Sequence, residues 1–481
     1  MTEVLKGLEP KEVFHYFEEI CNIPHGSGNI EKISDYLADF ARKRNLFYIQ
    51  DELKNVIIIK EASLGYEEAE PVIIQGHMDM VAVKKPECRI DMKKDPLELA
   101  IDGDFVYAKD TSLGGDDGIA VAYALALLDS DCIEHPRLEV VLTVDEETGM
   151  EGARGIDLSM LKGHRLLNLD SEEEGIFLTS CAGGARVNCE LPLIWEEAEG
   201  TLYEVNIKGL AGGHSGAEIH KERGNSNSLF GRLLKECENG TEYRIVQIAG
   251  GLADNAIPRE TKAVVLVLEK EDIFEKNVRS FEEKVRKELE SKDPSFQVCI
   301  ERREHAKREA FSKESSNKAV TLLFTLPNGV QAMSMDVEGL VETSLNMGIV
   351  ETKRENFRIE FSVRSSIESA KETLIRKLIA ITELCGGVCQ VSGSYPGWAY
   401  RKNSPLRDTM VRVYCGMYGK EPEIQAIHAG LECGLLAEKI PDLDCVSLGP
   451  DMKDIHTTEE KLSISSVKRV WEYCIEVLKQ K

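Results

Sequence analysis

Several features that would indicate other classes of protein are scarce or missing in this sequence. No stretch reaches the roughly 18 apolar residues of a membrane-spanning helix, and Met1–Phe17 holds charged side chains where a secretory signal would be apolar. Basic residues are outnumbered, 59 Lys and Arg against 84 Asp and Glu, which gives a formal charge of −25. That charge opposes binding to nucleic acid or to an anionic membrane. We therefore expect a cytoplasmic protein with neither of these partners.

Cysteine is not scarce, but its arrangement excludes two common uses. The 13 cysteines are odd in number, run from Cys21 to Cys474, and include no pair at the C-x-x-C spacing. A disulfide framework or a thiolate zinc site would need paired or closely spaced cysteines. We interpret them as reduced thiols in the core.

The N-terminal part of the chain alternates strand and helix patterns. Short apolar runs at Val72–Gln75, Leu138–Val144 and Leu166–Leu169 predict strands, and Gly118–Leu128 predicts one of the helices between them. This alternation is typical of an α/β fold whose mostly parallel sheet carries helices on both faces. The 481 residues are enough for a second domain as well.

The middle of the chain follows a different pattern. From about Thr201 to Tyr395, strands, helices and hairpins occur in an order that is loosely repeated, which suggests an inserted α+β domain of two ferredoxin-like units. After Trp398 the first pattern resumes. We predict a catalytic domain formed by residues 1–187 and 397–481, with an inserted domain at 188–396.

Polar residues suited to catalysis follow the predicted strands. His77 comes directly after one strand, and Asp79 lies on the same side two residues later, where it can orient the imidazole. The alternative is that His77 and Asp79 are simply a pair of surface residues. In the loop 113–119, glycines allow a close backbone approach and Asp116 opens a helix. Simple N-capping is the alternative there.

Further acids and a second histidine also follow predicted strands. The acidic run 145–147 follows a strand that should be buried, where crowded like charges raise the energy unless a cation offsets them. A solvated acidic turn is the alternative. Asp170 follows the next strand, and His456 follows the last one. An open α/β sheet gathers such residues at one edge.

Two imidazoles and three carboxylates suit a pair of divalent cations. Asp116 is the candidate bridge, and two dications are neutralised by three carboxylates and one hydroxide. Zinc is the first choice, with manganese or cobalt as alternatives. Such a pair, about 3.5 to 4 Å apart, activates a shared water and polarises a carbonyl. The residues therefore predict hydrolytic chemistry.

Six strings in this sequence form a more specific signature. They are G-H-M-D-M-V at 76–81, L-G-G-D-D-G-I-A at 113–120, D-E-E-T-G-M-E-G-A at 145–153, G-G-H-S-G at 212–216, H-A-G-L-E-C-G at 428–434 and I-H-T-T-E-E at 455–460. Over nearly its full length, the chain resembles the broad family of two-zinc dipeptidases, tripeptidases, aminoacylases and carboxypeptidases. Within that family it is most similar to the branch that cleaves Xaa-His dipeptides.

The resemblance implies a set of metal ligands. His77 and Asp170 would bind one metal, Glu147 and His456 the other, and Asp116 would bridge them.

It also implies the residues that act beside the metals. Glu146 would be the general base and acid, Asp79 would support His77, and the peptide bond after Asp116 would be cis. Asp117 is a departure, because the resemblance leads us to expect Asn there, or the second Asp of the tripeptidase-like pattern.

Substrate contacts are implied chiefly in the inserted domain, which would act as a lid and as the dimerisation domain. His214, from this subunit or a partner, would donate to the oxyanion. Asn255 and Arg364, on predicted hairpin strands, would hold the substrate's carboxylate. Glu432 with Gly430 would line the pocket or bind the free amine. A surface position is the alternative for His214, and a solvent-facing strand position for Asn255 and Arg364.

The sequence thus predicts a metallodipeptidase that cleaves short unblocked peptides, Xaa-His dipeptides included. An N-acyl amino acid deacylase with the same metal core is one alternative, and a non-catalytic peptide-binding protein is another. A two-metal phosphoesterase is disfavoured because no basic phosphate clamp accompanies the acids.

Overall fold

In a computed structural model that describes residues 4–481, the chain forms two compact units. The first unit comprises the chain up to Ser180, together with Tyr400–Ala426 and Leu431–Lys481, and the second comprises Cys181–Ala399 with Ile427–Gly430. Residues 1–3, which begin the segment where no secretory signal is predicted, lie outside the described range. The predicted inserted domain, 188–396, falls within the numbering of the second unit, and its boundaries and roles stay predictions.

The first unit contains most of the helices and strands of the α/β pattern. In chain order these are α1 (Lys11–Cys21), α2 (Glu31–Lys43), β1 (Phe47–Gln50), β2 (Val56–Lys60), β3 (Val72–His77), β4 (Leu99–Asp102), β5 (Phe105–Ala108), α3 (Gly115–Asp129), β6 (Leu138–Thr143), α4 (Glu151–Gly155), β7 (Arg165–Asn168) and β8 (Ile176–Cys181).

The second unit follows along the chain. Its elements are β9 (Gly183–Pro192), β10 (Trp195–Lys208), β11 (Gly213–His214), a 3₁₀ turn (Ile219–Lys221), α5 (Ser226–Cys237), β12 (Glu242–Gly250), β13 (Ala256–Ile257), β14 (Thr261–Glu269), α6 (Glu271–Glu288), β15 (Gln297–Phe311), α7 (Lys313–Thr325), β16 (Gly329–Met333), β17 (Val341–Thr352), β18 (Asn356–Ser365), α8 (Glu368–Leu384) and β19 (Val388–Tyr395).

The chain then completes the first unit. This C-terminal part contains α9 (Pro405–Tyr418), β20 (Glu423–Ile427), α10 (Cys433–Lys439), β21 (Asp444–Ser447), β22 (Met452–Lys453), β23 (Lys461–Ser463) and α11 (Ile464–Leu478).

An eight-stranded sheet in the order β1-β2-β6-β3-β7-β21-β8-β20 forms the centre of the first unit. Its middle strands β6, β3, β7 and β21 run parallel, while the β1/β2, β2/β6 and β21/β8 pairs are antiparallel. β3 and β6 are buried along their whole length, as strands of a sheet covered on both faces should be. The predicted α/β fold with a parallel centre is confirmed, and its parallel strands bring their carboxyl ends to one edge.

Helix α3 begins at the glycine loop that the sequence singled out, and it is buried from Gly115 to Leu128. A helix that is apolar on all sides belongs in a core. Gly114 has φ 70°, and a Cβ there would lie 2.7 Å from the Met80 sulfur, so the loop needs glycine at this position. The peptide bond between Asp116 and Asp117 is cis, as the resemblance implied.

The second unit is built on one antiparallel sheet of nine strands. The order is β15-β10-β14-β12-β17-β18-β9-β19, with β16 paired to β17. Apolar residues of the sheet and of α5–α8 share one core, with Phe230, Phe274, Phe281 and Phe311 among its buried side chains. The two remaining strands, β11 and β13, pair with each other in a separate small sheet. The interpretation as two ferredoxin-like units stays a prediction.

The structure bears on the expectations about membrane-spanning helices and about the cysteines. No helix among residues 4–481 is long and apolar enough to cross a membrane. All 13 cysteines are free thiols: seven are buried, five are partly buried and Cys132 is exposed. The core placement expected for the cysteines therefore applies to about half of them.

Candidate metal centre

Five segments bring polar side chains together near the carboxyl edge of the parallel strands. His77 is the last residue of β3, Asp116 lies at the start of α3, and Glu147 and Asp170 follow β6 and β7. His456 comes from the loop between β22 and β23. The structure thus brings the metal-ligand candidates together. Within each of three groups, the possible ligand atoms lie within 4.8 Å of one another, as binding of one metal ion would require. The groups are His77, Asp116 and Asp170; Asp116, Glu147 and His456; and His77, Glu146 and Glu147.

The first imidazole faces two carboxylates. His77 Nε2 lies 3.1 Å from Asp116 Oδ1 and 3.5 Å from Asp170 Oδ1. Its other nitrogen, Nδ1, lies 2.9 Å from the main-chain oxygen of Asp79. A proton on Nδ1 would donate to that oxygen, so the lone pair of Nε2 would point toward the carboxylates. This is the tautomer that a metal-binding histidine needs.

The second imidazole makes a matching arrangement. His456 Nε2 lies 3.0 Å from Asp116 Oδ2 and 2.9 Å from Glu147 Oε1. The two oxygens of Asp116 therefore face different histidines. A carboxylate placed in this way could offer one oxygen to each of two cations.

The surroundings of the donor atoms suit a pair of metal ions. Glu147 Oε1 is buried and makes no hydrogen bond, although it lies 2.9 Å from His456 Nε2. Burial raises the pKa of Asp170 to about 6 and that of Glu146 to about 9, and neighbouring carboxylates add to both increases. Imidazole and carboxylate donors that are crowded and poorly hydrogen-bonded suit divalent cations such as zinc. The residues present fit two ions.

Asp79 connects His77 to the turn that carries Glu146. One carboxylate oxygen accepts the Glu146 N–H at 3.0 Å, and the other accepts the Ser27 hydroxyl at 2.8 Å. Asp79 is fully buried, and its carboxylate lies 3.4 Å from His77 Nδ1. Ser27 was missed by the sequence reasoning, because nothing in its neighbourhood marks a partner 52 positions away.

Asp117, the departure from the expected pattern, also contacts His77. Its Oδ2 accepts the His77 N–H at 3.1 Å, while its Oδ1 is buried without a hydrogen bond. Burial, followed by the charge of Asp170, raises its pKa well above the usual value. This carboxyl fixes the end of β3 against the start of α3.

Glu432 is a further buried acid, and its carboxylate accepts side-chain hydrogen bonds. Its side chain is fully buried, and its Oε2 accepts hydrogen bonds from Gln75 Nε2 and the Thr143 hydroxyl, both at 2.6 Å. Gln75 also accepts from Asn168 Nδ2 at 2.6 Å. Glu432 thus joins β3 and β6, while its Oε1 is buried without a hydrogen bond. Its expected role, lining the pocket or binding the free amine, stays a prediction.

Four substrate-contact candidates belong to the second unit. His214, which is exposed, lies on β11, where its Nδ1 accepts the N–H groups of Gly216 and Ala217 at 3.2 and 3.1 Å. Burial of part of the ring, followed by the charge of Arg364, lowers its pKa. The neutral ring therefore carries its proton on Nε2, which is free to donate.

The other candidates differ in their surroundings. Arg364 lies on β18 as predicted, and its Nε is buried without a hydrogen bond while Nη1 lies 3.4 Å from the Tyr395 hydroxyl. Asn255 is exposed in the turn before β13 and not on a hairpin strand, which corrects that prediction. Gly430 ends the short segment Ile427–Gly430 that belongs to this unit.

The α/β fold and the paired imidazole and carboxylate cluster define a metal-dependent hydrolase. A profile of Peptidase family M20/M25/M40 matches residues 73–480, and the chain belongs to this family. The resemblance noted in the sequence is thereby confirmed, and the protein is a metallopeptidase.

Individual relatives are similar to this chain over nearly its whole length. The cytosol non-specific dipeptidase of Escherichia coli is 37% identical over 479 residues, which cover 99% of both chains. The crystal structure of aminoacylhistidine dipeptidase from Vibrio alginolyticus superposes with a TM-score of 0.93 at 37% identity, over 99% of this chain and 97% of that one. A tripeptidase from Staphylococcus aureus, with a TM-score of 0.56 at 15% identity and 98% coverage of both chains, shares the fold.

Proposed function

We propose that this protein is a two-metal dipeptidase that hydrolyses short unblocked dipeptides, Xaa-His dipeptides included. The observation that carries the proposal is that the two carboxylate oxygens of Asp116 face different histidines, at 3.1 and 3.0 Å. The relatives named as dipeptidases match nearly the whole chain, which supports the substrate class. The proposed ligands are His77, Asp116, Glu147, Asp170 and His456.

The proposed mechanism uses Glu146 as the proton carrier. When bound, two ions supply an activated water and polarise the scissile carbonyl. Glu146 takes the proton from the attacking water and gives it to the leaving amine. Burial and neighbouring carboxylates raise the pKa of Glu146 in the metal-free protein, and bound cations would lower it so that the carboxylate can accept this proton. Asp79 keeps this turn in position through the Glu146 N–H.

The second unit supplies the proposed substrate contacts. His214 presents a proton on Nε2, and a neutral imidazole that donates in this way suits the oxyanion of the tetrahedral intermediate. Arg364 has a buried Nε without a hydrogen bond, and its guanidinium suits a substrate carboxylate. Asn255 and Gly430 are proposed as further contacts. Zinc as the resident metal, a cytoplasmic location and a homodimer formed through the second unit complete the proposal.

The decisive variant is Glu146→Gln. Glutamine keeps the size of the side chain but cannot carry the proton, so we expect metal content near two ions per chain and a loss of at least about 100-fold in kcat. Glu151→Gln is the matched control, because Glu151 is an exposed acid at the start of α4. Wild-type turnover in Glu146→Gln would remove the general-base assignment.

A substrate panel separates the dipeptidase from the deacylase. Metal-stripped protein would be assayed with Ala-His, β-Ala-His, Gly-Leu, a tripeptide and N-acetyl-Met, with and without zinc, manganese or cobalt. We expect cleavage of the free dipeptides to return with metal and N-acetyl-Met to stay intact. Cleavage confined to N-acetyl-Met would favour the deacylase, and no cleavage at all would favour a peptide-binding protein.

A further inference from the structure

Glu460 is a buried acid that the proposed mechanism does not use. Its side chain is 3% exposed, and its carboxylate accepts hydrogen bonds from the N–H groups of Leu113 at 2.8 Å, Gly114 at 3.1 Å and Gly115 at 2.8 Å. A fourth N–H, that of Asp116, lies 3.5 Å away. Consecutive backbone N–H groups that converge on one anion form a strong and directional site.

The loop that Glu460 binds has no cap of its own. Gly114, the N-cap residue of α3, supplies no side-chain hydrogen bond, so the N–H groups at this helix start would otherwise lack acceptors. The acceptor comes instead from a residue 344 to 347 positions away in sequence. A Cβ on Gly115 would lie 3.3 Å from Glu460 Oε1, so glycine also permits this close approach.

The same loop pair carries two of the proposed metal ligands. Asp116 is the last of the four residues that Glu460 contacts, and His456 lies four positions before Glu460 in the loop between β22 and β23. His456 has φ 61°, a backbone conformation that costs energy for a residue other than glycine. Glu460, at the base of that loop, therefore ties the His456 segment to the Asp116 segment.

We propose that Glu460 is a positioning residue that sets the separation between His456 and the bridging Asp116, and thereby the affinity for the bridged metal pair. This inference rests on the proposed two-metal function. Without the carboxylate, the loops before α3 and after β22 lose their common anchor, and the 3.0 Å approach of His456 Nε2 to Asp116 Oδ2 is no longer enforced. Residues that hold ligands in this way typically change metal affinity about 10- to 100-fold when replaced.

The test compares Glu460→Gln and Glu460→Asp with Glu459→Gln. Glutamine presents an amide N–H₂ to N–H groups that need an acceptor, whereas aspartate keeps the charge but is one methylene shorter. Glu459 is the matched control, because it is the exposed neighbour and pairs with Lys85 Nζ at 2.8 Å. Metal-free proteins would be titrated with Zn²⁺ in competition with a chromophoric chelator, and with Co²⁺ while its visible absorption is recorded. Circular dichroism and thermal unfolding of the metal-free proteins would check the fold.

We expect Glu460→Gln to bind Zn²⁺ about 10- to 100-fold more weakly and to show an altered Co²⁺ spectrum. Glu460→Asp should fall between it and the wild type, and Glu459→Gln should stay within about twofold. If Glu460→Gln does not fold, weakened binding in Glu460→Asp supports the proposal by itself. Lower thermal stability with wild-type Zn²⁺ affinity and Co²⁺ spectrum in the folded variants would overturn it, because Glu460 would then only cap α3.

The readout is independent of peptide cleavage. A wild-type protein that binds two ions but cleaves no dipeptide would remove the proposed function and leave the test of Glu460 intact. If the wild-type protein cleaves dipeptides and the Glu460 variants bind metal normally, the proposed function stands and the positioning role of Glu460 is refuted.

Discussion

Acids on the large sheet of the second unit and acids at the candidate metal centre of the first unit have opposite surroundings. In the second unit, Glu197 on β10 lies 2.9 Å from Lys307 Nζ, and Glu309 on β15 makes two hydrogen bonds of 2.9 and 3.0 Å with Arg354. Both acids are more than half exposed. At the sheet edge of the first unit, Asp116 and Glu147 have side chains at most 10% exposed, and their ion-pair partners are histidines. Glu197 and Glu309 are balanced by their own neighbours and by water, whereas Asp116 and Glu147 gain from added cations.

This difference shows why the acidic composition alone is uninformative about the site. A charge of −25 is mostly a property of solvated side chains, which cost little to ionise. The few acids that burial forces together determine the chemistry, because each must be protonated, hydrogen-bonded or bound to a cation. The contrast predicts that equivalent acid-to-amide substitutions will have very unequal effects in the two units.

The largest effect should follow from Asp116→Asn. Asparagine offers one oxygen ligand, so it cannot bridge, and we expect fewer than two ions per chain and a loss of at least about 1000-fold in kcat/KM. Elemental analysis and dipeptide kinetics would measure both. Two bound ions with near-normal kinetics would show that Asp116 does not bridge and would weaken the contrast between the units.

A smaller effect is expected for Asp79→Asn. Asparagine can still accept the Glu146 N–H and donate to the Ser27 hydroxyl, so the substitution removes mainly the charge beside His77. We expect kcat to fall about 10- to 100-fold with little change in KM. Ser27→Ala, which removes one hydrogen bond and keeps the charge, should lose less. Equal losses in the two variants would indicate that the hydrogen bonds matter more than the charge.

Much of this arrangement could be predicted from sequence because it follows from local patterns. A buried parallel strand predicts where its carboxyl end lies, and His77, Glu147 and Asp170 are each within a few residues of such an end. Asp116 was found instead from the glycine loop at the start of α3. The structure brings them together, although their roles as ligands stay predictions. The motif strings supplied the family, which is confirmed.

What could not be predicted depends on contacts between distant parts of the chain. Glu432 has a partner 357 positions away, and Glu460 has one 347 positions away, so the residues beside each acid carry no sign of its role. A glutamate next to a helix start is as compatible with a pocket wall as with a buried anchor. The prediction that Asn255 lies on a strand was wrong for a local reason. A hairpin pattern does not specify which residues form the turn and which form the strands.

The pH dependence of stability offers a finer test of the buried acids. Burial raises the pKa of Glu146 to about 9 from its ordinary value of 4.5. Between these values the folded metal-free protein holds a proton that the unfolded chain releases, so its stability should fall as pH rises, by at most about 1.4 kcal/mol per pH unit for this group. Denaturant unfolding of chelated protein should therefore show a steeper decline in the wild type than in Glu146→Gln, and bound metal should flatten both curves. Identical slopes in the two chelated proteins would contradict the raised pKa.

The smallest effect should come from the second unit. Glu309→Gln removes the charge of an exposed acid that has good geometry to Arg354, yet water and salt screen such a pair. We expect kcat/KM within about twofold of the wild type and a melting temperature within about 2 °C, because exposed ion pairs contribute little. Dipeptide kinetics and calorimetry of the metal-loaded protein would measure both quantities. A loss comparable to that of Asp79→Asn would mean that surface pairing in the second unit affects catalysis, and the distinction between buried and solvated acids would no longer separate functional from structural charge in this protein.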